Sequence, residues 1–446
     1  MSIYKAYDIR GTYPDQLDER TARRVGQAVV RYLGARRLVV ARDMRSMAPS
    51  ICDALVEGIT SQGCDVADIG LASTPCAYHA MGTIPCDGGV IVTASHNPAE
   101  YIGLKMCKAG PIPLSGDEGI PEIRALAEGE EPGEASRKGR REPIDVRRSY
   151  IDEMIEMAGG PEAIGPLKIV VDYANGMGSH EGAEVLASFP KLEVLPLFDD
   201  LDGSFPNHEA NPLKEENLSA LRKVLAESGA TMGLAFDGDA DRCAFVDEEG
   251  RTVGADLITV ILARHMLSRH PGAGIIYDLR SSKIVKESVE KLGGYAVMER
   301  VGHSFMKDTM RKKGLIGGGE LSGHFYFSEF HNSDCGLLAA LWVMVRLGEE
   351  GKTLKQAADE LRVYHQSGEI NFRVEDKAAM MEKVVEAFPD GELSRLDGIL
   401  ITYEDWWVNL RPSNTEPYLR LVMEADRADL LEEKKREVMA ILGEPA

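Results

Sequence analysis

The amino-acid sequence predicts an α/β fold, with three tandem α/β domains of mostly parallel sheet and a C-terminal α+β domain around a central cleft. Two observations lead to this fold class. A short β-branched apolar run that ends in aspartate, followed by a turn and a helical stretch, occurs three times. After about residue 368 the pattern changes to strands and amphipathic helices typical of an antiparallel sheet. A chain of 446 residues is long enough for three or four domains.

The three aspartate-terminated runs, LVVARD, KIVVD and GIIYD, end at Asp43, Asp172 and Asp278. A second strand-like run begins about 20 residues later in each copy, as DVADIGL, LEVLPLF and YAVMERV. Helical stretches such as MAPSICDALVEGITSQG and SKIVKESVEKLGG imply right-handed βαβ crossovers and a parallel sheet. The sequence therefore predicts three copies of one α/β unit.

A third strand-like run in each copy leads into a dense polar cluster. These runs are GGVIVTASHNP, TMGLAFDGDADR and LIGGGELSGHF, and they hold corresponding places in the three copies. Ligands of α/β sheets bind outside the carboxyl ends of the strands. We therefore expect the three clusters to converge on one cleft.

The predicted domains cover residues 1–150, 151–254, 255–368 and 369–446. In the last one, NFRVED, GILITYEDWWVNL and YLRLVMEAD are strand-like, whereas KAAMMEKVVEAF and ADLLEEKKREVMAILG are amphipathic and helical. This alternation favours a small α+β domain.

Composition excludes several function classes. The 72 acidic and 51 basic residues give a formal charge of -21, which argues against nucleic acid or an anionic membrane as a partner. The net charge is still compatible with an anionic small substrate, because a local cluster of basic residues in a cleft can outweigh it. Seven scattered cysteines, no signal-like start and no run of 18 apolar residues predict a cytoplasmic protein with reduced thiols.

The motif FDGDADR supplies three carboxylates, Asp237, Asp239 and Asp241, after an apolar strand-like run. Carboxylates this close repel one another, and a divalent cation bound by oxygen ligands relieves the repulsion. An EF-hand is excluded, because Arg242 stands where its turn needs glycine and strand-like runs flank the loop. A metal site at the sheet edge and a solvated acidic turn are the two remaining interpretations.

The motif RPSNTEP brings the hydrogen-bond donors of Arg411, Ser413, Asn414 and Thr415 within five positions. A guanidinium fork suits phosphate, and hydroxyl, amide and backbone N–H groups can complete an anion site. The alternative is an ordinary turn ahead of the strand YLRLVME.

The motif GGGELSGHF joins a glycine run to Glu320, Ser322 and His324. This mixture of an acceptor, a hydroxyl and an imidazole suits a polyhydroxylated ligand better than a metal. A glycine-rich bend without function fits the same residues.

The stretch VIVTASHNPAEYIGLK places Ser95 between an apolar run and a proline. It lacks the GxSxG elbow of hydrolases, and His96 is not expected to act as a base for Ser95, because adjacent side chains of an extended strand point apart. Locally, Ser95 fits a turn or helix cap as well as it fits a nucleophile.

Taken together, these motifs resemble the α-D-phosphohexomutase superfamily, in its phosphomannomutase/phosphoglucomutase branch, nearly from end to end. KAYDIRG resembles the N-terminal signature of the superfamily, TASHNP its active-serine loop, DGDADR its metal loop, GELSGH its sugar-recognition loop and RPSNTEP its phosphate loop. The segments VARDMR, LDGSFPNHEANP and RVGHSFMK match accessory segments in the expected order.

The resemblance implies four domains that carry, in order, a phosphoserine loop, a metal site, a sugar-recognition loop and a phosphate site. It implies that Ser95 is carried as phosphoserine, and that the seryl phosphate and the three aspartates of DGDADR hold Mg²⁺. A phosphoserine adds about -1.5 to -2 charge, so a cation beside these aspartates is physically required. The implied reaction converts hexose 1-phosphate to hexose 6-phosphate through a hexose 1,6-bisphosphate, which also serves as activator.

Other residues receive roles as hypotheses. Arg10, Lys105 and Arg242 are expected to form a positive rim around the transferring group. Lys105 and His303 are the candidates for general acid or base, ahead of His324 and His96, although His303 fits a structural residue at a helix start equally well.

Three alternatives stay open at this point. The same mechanism could serve phosphoglucosamine, although GELSGH most resembles the mannose and glucose branch, since phosphoglucosamine mutases commonly have glutamine at position 321. A metal-assisted sugar-phosphate phosphatase and a non-catalytic sugar-phosphate sensor are the other two.

Ile102 stands where the superfamily usually has asparagine, which puts that side chain's role in doubt. We expect a monomer or small homo-oligomer.

Overall fold

A computed structural model describes residues 2–413 and 418–446 of the chain. Within these residues the strands form four β-sheets, three of them mixed and rich in parallel pairs and one antiparallel. The predicted fold class, three α/β domains followed by an α+β domain, is confirmed. No helix in these two ranges is both long enough and apolar enough to cross a bilayer.

The first sheet follows the order β1-β5-β4-β2-β3-β7, with β6 paired to β5. Its strands are β1 (Ile9–Thr12), β2 (Arg37–Arg42), β3 (Asp65–Leu71), β4 (Gly88–Val92), β5 (Tyr101–Lys108), β6 (Ile112–Pro113) and β7 (Arg141–Pro143). The helices are α1 (Glu19–Leu33), α2 (Ala48–Ser61), α3 (Thr74–Thr83), α4 (Ile120–Glu128) and α5 (Arg147–Met157). The predicted boundary at residue 150 thus falls within α5.

The second sheet follows the order β12-β11-β10-β8-β9. Its strands are β8 (Leu167–Asp172), β9 (Leu192–Leu197), β10 (Met232–Phe236), β11 (Cys243–Asp247) and β12 (Thr252–Val253). Between them lie α6 (Gly178–Ala187), a 3₁₀ turn (Glu215–Leu218) and α7 (Ser219–Ser228).

The third sheet follows the order β14-β13-β15-β16-β17. Its strands are β13 (Gly274–Asp278), β14 (Tyr295–Glu299), β15 (Gly317–Gly319), β16 (Phe325–Phe327) and β17 (Ser333–Asp334). The helices are α8 (Ala255–Arg269), α9 (Ile284–Lys291), α10 (His303–Lys313), α11 (Gly336–Glu350) and α12 (Leu354–Asp359).

The first three sheets repeat one unit, as the sequence predicts. In each unit, three parallel strands are followed by an antiparallel partner: β3-β2-β4 by β5, β9-β8-β10 by β11, and β14-β13-β15 by β16. The aspartate that ends the first strand also plays the same part each time. Its Oδ1 accepts a hydrogen bond from the backbone N–H two residues later, at Arg45, Ala174 and Arg280, over 2.8–3.0 Å. The polar clusters therefore occupy equivalent loops, between the third strand of each unit and its antiparallel partner.

The C-terminal domain is built on the antiparallel sheet β18-β23-β22-β21-β20, with β19 paired to β23. Its elements are β18 (His365–Gln366), β19 (Ile370–Arg373), α13 (Lys377–Ala387), β20 (Glu392–Ser394), β21 (Ile399–Thr402), β22 (Trp406–Pro412), β23 (Tyr418–Ala425) and α14 (Ala428–Leu442). The run GILITYEDWWVNL, which reads as one strand in the sequence, forms two paired strands instead. A turn at Glu404 and Asp405 separates them, and it places Ile399 and Ile401 of one strand in the same core as Val408 and Leu410 of the other.

Two glycines let α1 and α2 pack with their backbones in close approach. A Cβ atom at Gly58 would lie 2.0 Å from the carbonyl oxygen of Arg23, and one at Gly26 would lie 2.4 Å from that of Leu55. Both positions therefore exclude any side chain, because neither neighbour is a flexible side-chain end that could move away.

Gly58→Ala is expected to destabilise the protein by about 1–3 kcal/mol, because the added methyl group would force the two helices apart. The matched control is Gly348→Ala on α11, where the new methyl would meet no atom within 4 Å. The control should be neutral or stabilising by up to about 1 kcal/mol, since alanine is the better helix former. Urea denaturation measures both, and equal stability of the two variants would contradict this account of the packing.

Candidate active site

The serine loop, residues 93–100, follows β4 and presents a buried serine at the centre of the molecule. Ser95 adopts a left-handed backbone conformation with φ of 51°, and its Oγ donates a hydrogen bond of 2.7 Å to Asp237 Oδ2. The loop continues through a turn into β5, so the helix-cap interpretation is wrong and the turn interpretation is confirmed. A non-glycine residue in this conformation is strained, and such strain concentrates at functional sites.

Arg45 fixes the backbone conformation of the serine loop. Its guanidinium donates hydrogen bonds of 2.6–3.0 Å to four backbone carbonyls, those of Ser95, Asn97, Pro98 and Tyr101. The side chain is fully buried and pairs with Asp43, the aspartate that follows β2. The loop is therefore preorganised by a charged group that belongs to the same domain.

His96 lies closer to Ser95 than the sequence suggests. Its Nδ1 is 3.3 Å from Ser95 Oγ, so the expectation that the two side chains point apart is wrong. The reason is the positive φ of Ser95, which breaks the alternation of an extended strand. Burial, together with the charge of Arg242, lowers the pKa of His96 well below its usual range.

The aspartate loop, residues 237–242, connects β10 to β11 and carries the triplet. Asp237, Asp239 and Asp241 are at most 1% exposed, and one oxygen from each lies within 4.8 Å of the other two. The alternative of a solvated acidic turn is therefore wrong. Burial and the charges of its two neighbours raise the pKa of Asp237 well above its usual range.

Lys105 on β5 neutralises part of this buried negative charge. Its Nζ donates to Asp239 Oδ2 at 2.5 Å and also to Asp241. Burial alone would lower the pKa of Lys105, but the aspartates outweigh it and raise that pKa above its ordinary value. Asp241 responds in the opposite sense: burial favours its neutral form, but Lys105 and His324 prevail and lower its pKa well below the usual range. Thr74 Oγ1, at the start of α3, donates to Asp239 Oδ2 at 2.6 Å.

The glutamate loop, residues 320–324, connects β15 to β16 and brings the third cluster to the same place. Ser322 Oγ lies 3.0 Å from His324 Nδ1, and His324 Nε2 lies 3.3 Å from Asp241 Oδ1. Glu320 is held by the backbone N–H of Gly302 at 2.8 Å and by the hydroxyl of Tyr326. Glu320 is thus fixed by residues of the third domain, while His324 contacts the aspartate loop.

The three loops touch directly. Arg242 and His324 form a short antiparallel bridge, and the N–H of Cys243 donates to the carbonyl of Gly323 at 3.1 Å. Gly238 lets the aspartate and serine loops meet, because a Cβ there would lie 2.5 Å from the carbonyl oxygen of Ser95. The predicted convergence of the three clusters is confirmed.

His303 and Arg10 border this centre. The ring of His303, at the start of α10, lies 5.7 Å from that of His324 and 5.6 Å from that of Tyr7. Its Nδ1 is buried and has no hydrogen-bond partner among the described residues, and burial and the charge of Lys307 lower its pKa well below the usual range. Arg10, on β1, donates to Asp8 and to Asn97 of the serine loop.

A cluster of arginines lies between the third and fourth domains. Arg280, Arg411 and Arg420 place guanidinium nitrogens 3.8, 3.3 and 3.0 Å from the single carboxylate of Glu369. Arg280 also pairs with Asp278, at 2.7 Å. Guanidinium groups of both domains thus lie side by side, an arrangement suited to binding an anion. Ser413, next in the predicted phosphate motif, is buried, and its N–H donates to the carbonyl of Tyr418 at 2.9 Å. The predicted residues Asn414 and Thr415 lie outside the described residues.

Sequence reasoning missed Arg45, Thr74 and Arg280. A signal existed for the two arginines, since each stands two positions after the aspartate that ends the first strand of its unit. No comparable pattern marks Thr74, which reaches Asp239 only because α3 begins beside the second domain.

Three repeated α/β domains bring a buried serine, an acidic triplet and the glutamate loop to one centre, with an arginine cluster beside it. This arrangement is typical of the class of phosphosugar mutases. Family models named "Phosphoglucomutase/phosphomannomutase" match the chain in order. Alpha/beta/alpha domains I, II and III match residues 1–134, 148–250 and 255–364, and the C-terminal domain matches residues 369–441. The chain belongs to the phosphoglucomutase/phosphomannomutase family.

Relatives support the same assignment over the full length. The chain is 37% identical to a phosphomannomutase of Escherichia coli K12, covering 100% of this chain and 99% of the relative. It is 39% identical to a phosphomannomutase of Methanocaldococcus jannaschii, covering 99% and 98%. A crystal structure of a phosphoglucomutase/phosphomannomutase family protein from Burkholderia thailandensis matches with a TM-score of 0.89 at 31% identity, covering 100% of this chain and 98% of that one.

Proposed function

We propose that the protein interconverts the 1-phosphate and 6-phosphate of a hexose, mannose or glucose, with Ser95 carrying the phosphoryl group. The observation that carries this proposal is the hydrogen bond of 2.7 Å between Ser95 Oγ and Asp237. This bond places a buried hydroxyl beside the acidic triplet, at the centre that the glutamate loop also reaches. Relatives named phosphomannomutase, at 37–39% identity over nearly the full length, support the substrate class.

The triplet fits a divalent cation of the Mg²⁺ type. Its ligands are all carboxylate oxygens, which Mg²⁺ prefers, and Asp239 Oδ1 is buried without a hydrogen-bond partner among the described residues. Asp237, Asp239, Asp241 and the phosphate on Ser95 would hold the ion. Bound there, Mg²⁺ would neutralise the carboxylates and polarise the transferring phosphoryl group.

The reaction then needs two phosphoryl transfers, the first from phosphoserine to the sugar and the second from the bisphosphate back to Ser95. The free hydroxyl of the bound hexose phosphate attacks the phosphorus of phosphoserine; the bond from phosphorus to Ser95 Oγ breaks, and Oγ takes up a proton. The product is a hexose 1,6-bisphosphate, which turns over and returns its other phosphate to Ser95. Added bisphosphate would therefore recharge an enzyme that has lost its phosphate, which is the basis of its proposed role as activator.

The pKa values of the two candidate acid–base residues are shifted in opposite directions, which supports a different role for each. Lys105 is charged, because its raised pKa keeps the proton, so it stabilises negative charge on the transferring group and can return a proton. His303 is neutral, because its lowered pKa favours the unprotonated ring, and its unpartnered Nδ1 can accept the proton of the attacking hydroxyl. We assign the base to His303. Arg10 and Arg242 flank the serine and aspartate loops as the positive rim.

The arginine cluster is proposed to hold the phosphate that does not react. Arg411 and Arg280 are both buried and both reach the carboxylate of Glu369, so their guanidinium groups lie close enough to bind one phosphate together. Ser413, Asn414 and Thr415 would add hydroxyl and amide donors. Glu320, Ser322 and His324 would bind sugar hydroxyls in both orientations of the intermediate. One phosphate site can therefore serve both orientations of the bisphosphate.

Ser95→Ala is expected to lower mutase activity by about 10³-fold or more, because no other group can carry the phosphoryl. Intact-mass analysis should find a phosphate on the wild-type chain and none at residue 95 of the variant. The control is Ser228→Ala, a residue at the end of α7 whose hydroxyl bonds the backbone of Leu225 and Ala230, away from the site. Assays on mannose, glucose and glucosamine 1-phosphates measure the sugar preference. A variant with full activity would refute the proposal, and transfer of labelled phosphate to water instead of sugar would favour a phosphatase.

Chelation of divalent cations is expected to lower activity by about 100-fold or more, with recovery on adding Mg²⁺, because buried carboxylates and a seryl phosphate repel one another without a cation. Asp239→Asn should raise the Mg²⁺ concentration needed for half-maximal activity. Asp202→Asn, a surface aspartate that bonds Ser204, should leave it unchanged. Undiminished activity in the chelated enzyme would contradict the metal assignment.

His303 as base predicts a specific pH dependence. A lowered pKa means that the ring stays neutral at and below the ordinary histidine pKa of about 6.5, and that base catalysis is lost only as the pH falls through the lower, folded-state value. His303→Asn should lower kcat by about 10²-fold or more and remove this acid limb from the profile of kcat/KM against pH. His270→Asn, an exposed histidine, is the control. An acid limb unchanged in the His303 variant would reassign the base.

A further inference from the structure

A second group of metal-ligating side chains lies outside the mutase centre. It joins His79 on α3, Glu153 on α5 and His331 in the loop between β16 and β17, with the potential ligand atoms within 4.8 Å of one another. We propose that these three side chains bind a divalent transition ion of the zinc class. This site has no part in the proposed phosphoryl transfer.

The hydrogen bonds of His79 allow the tautomer that a metal needs. Ser149 Oγ lies 2.9 Å from the carbonyl oxygen of Val146 and 2.8 Å from His79 Nε2. A hydroxyl has one proton, so Ser149 either donates it to Val146 and accepts the Nε2–H of His79, or donates it to His79 Nε2. In the first arrangement the lone pair of the neutral ring lies on Nδ1. A metal-bound histidine is typically held by such a hydrogen bond from its other nitrogen.

His79 Nδ1 lies against a carboxylate. The distance to Glu153 Oε2 is 2.6 Å, so in the tautomer with its lone pair on Nδ1 two acceptors face each other at hydrogen-bond distance. Only a cation between them, a proton or a metal ion, makes that contact favourable. The contact alone does not choose between the two.

His331 favours the metal ion. Its Nε2 is buried without a hydrogen-bond partner among the described residues and lies 3.7 Å from Glu153 Oε1, so a third donor atom is directed at the same carboxylate. A proton shared by His79 and Glu153 would leave this nitrogen unsatisfied, whereas a metal ion would satisfy all three groups. Two ligand atoms of a tetrahedral zinc ion lie about 3.3 Å apart, for bonds of about 2.0 Å. This separation falls between the 2.6 Å from His79 Nδ1 to Glu153 Oε2 and the 3.7 Å from His331 Nε2 to Glu153 Oε1.

The surroundings hold His331 in position. Arg311 donates a hydrogen bond of 2.8 Å to its carbonyl oxygen. On the other side the ring lies directly against α3, where a Cβ at Gly82 would come within 2.4 Å of it. The side chains of Glu153 and His331 are 24% and 23% exposed, whereas that of His79 is 4% exposed. The site is therefore open on one side, which admits an ion and leaves room for a water ligand.

The donor set selects the kind of ion. Two imidazoles and one carboxylate suit zinc and its transition-metal neighbours, whereas Mg²⁺ prefers the all-oxygen triplet of the mutase centre. The ligands come from α3 and α5 on one side and from a loop of the third domain on the other. A bound ion would thus tie these parts together and stabilise the fold.

The test is zinc binding by isothermal titration calorimetry to the full-length protein, with excess Mg²⁺ present to fill the mutase centre. Wild type should bind one zinc ion per chain and melt at a higher temperature with zinc. His331→Gln and Glu153→Gln should each bind zinc about tenfold or more weakly. The matched control is His270→Gln, which alters an exposed His–Glu pair without a second histidine. Asp237→Asn should retain the binding, which separates this site from the mutase centre.

Two results would overturn the proposal. One is the absence of zinc binding to wild type in Mg²⁺, which would leave His79 and Glu153 as a proton-bridged pair. The other is equal zinc affinity in wild type, His331→Gln and Glu153→Gln, which would indicate surface chelation. Should a variant fold poorly, as judged by circular dichroism, Co²⁺ absorption of wild type decides the question. Visible bands of imidazole-bound cobalt with Mg²⁺ present support the site, and their absence refutes it.

Discussion

The constraint on which this structure depends is the burial of three carboxylates in one loop. Charges removed from water are costly unless other groups compensate them. Arg242 of the second domain compensates part of the charge, with its Nε 3.8 Å from Asp237 Oδ2, and the other domains supply the rest. Lys105 and the hydroxyls of Ser95 and Thr74 come from the first domain, and His324 comes from the third. The acidic triplet therefore fixes how the three repeats are arranged, because each repeat satisfies part of its charge.

The same electrostatics explain why neighbouring residues of one type behave differently. Asp237 and Asp241 are equally buried, yet their pKa values move in opposite directions. Asp241 lies against Lys105 and His324, whereas Asp237 lies mainly against other carboxylates and the serine hydroxyl. The triplet thus combines one firmly ionised member with one that strongly needs a cation. That asymmetry is what a site needs if the charge of its serine changes during a reaction.

Much of the fold and of the site could be predicted from the sequence, because the signals are local. The three aspartate-terminated strands set the repeat, and the polar motifs fall where the strand order places loops, so Ser95, Lys105, the triplet and the glutamate loop meet as expected. The misses have physical reasons. A positive φ at Ser95 is invisible in the residue types, so the approach of His96 could not be foreseen. The contacts of Arg45 and Thr74 depend on distant segments, and the split of GILITYEDWWVNL depends on a turn without glycine or proline.

Asp278 has a consequence that reaches beyond its own strand. One of its oxygens, Oδ2, accepts hydrogen bonds from the guanidinium of Arg280, at 2.7 Å, and from the backbone N–H of Leu321, at 2.8 Å. A single carboxylate therefore sets the spacing between the arginine cluster and the glutamate loop. In the proposed reaction, a ligand held by both would meet a fixed distance between its two contacts. That distance would favour ligands of one length, whichever of their ends lies at the arginine cluster.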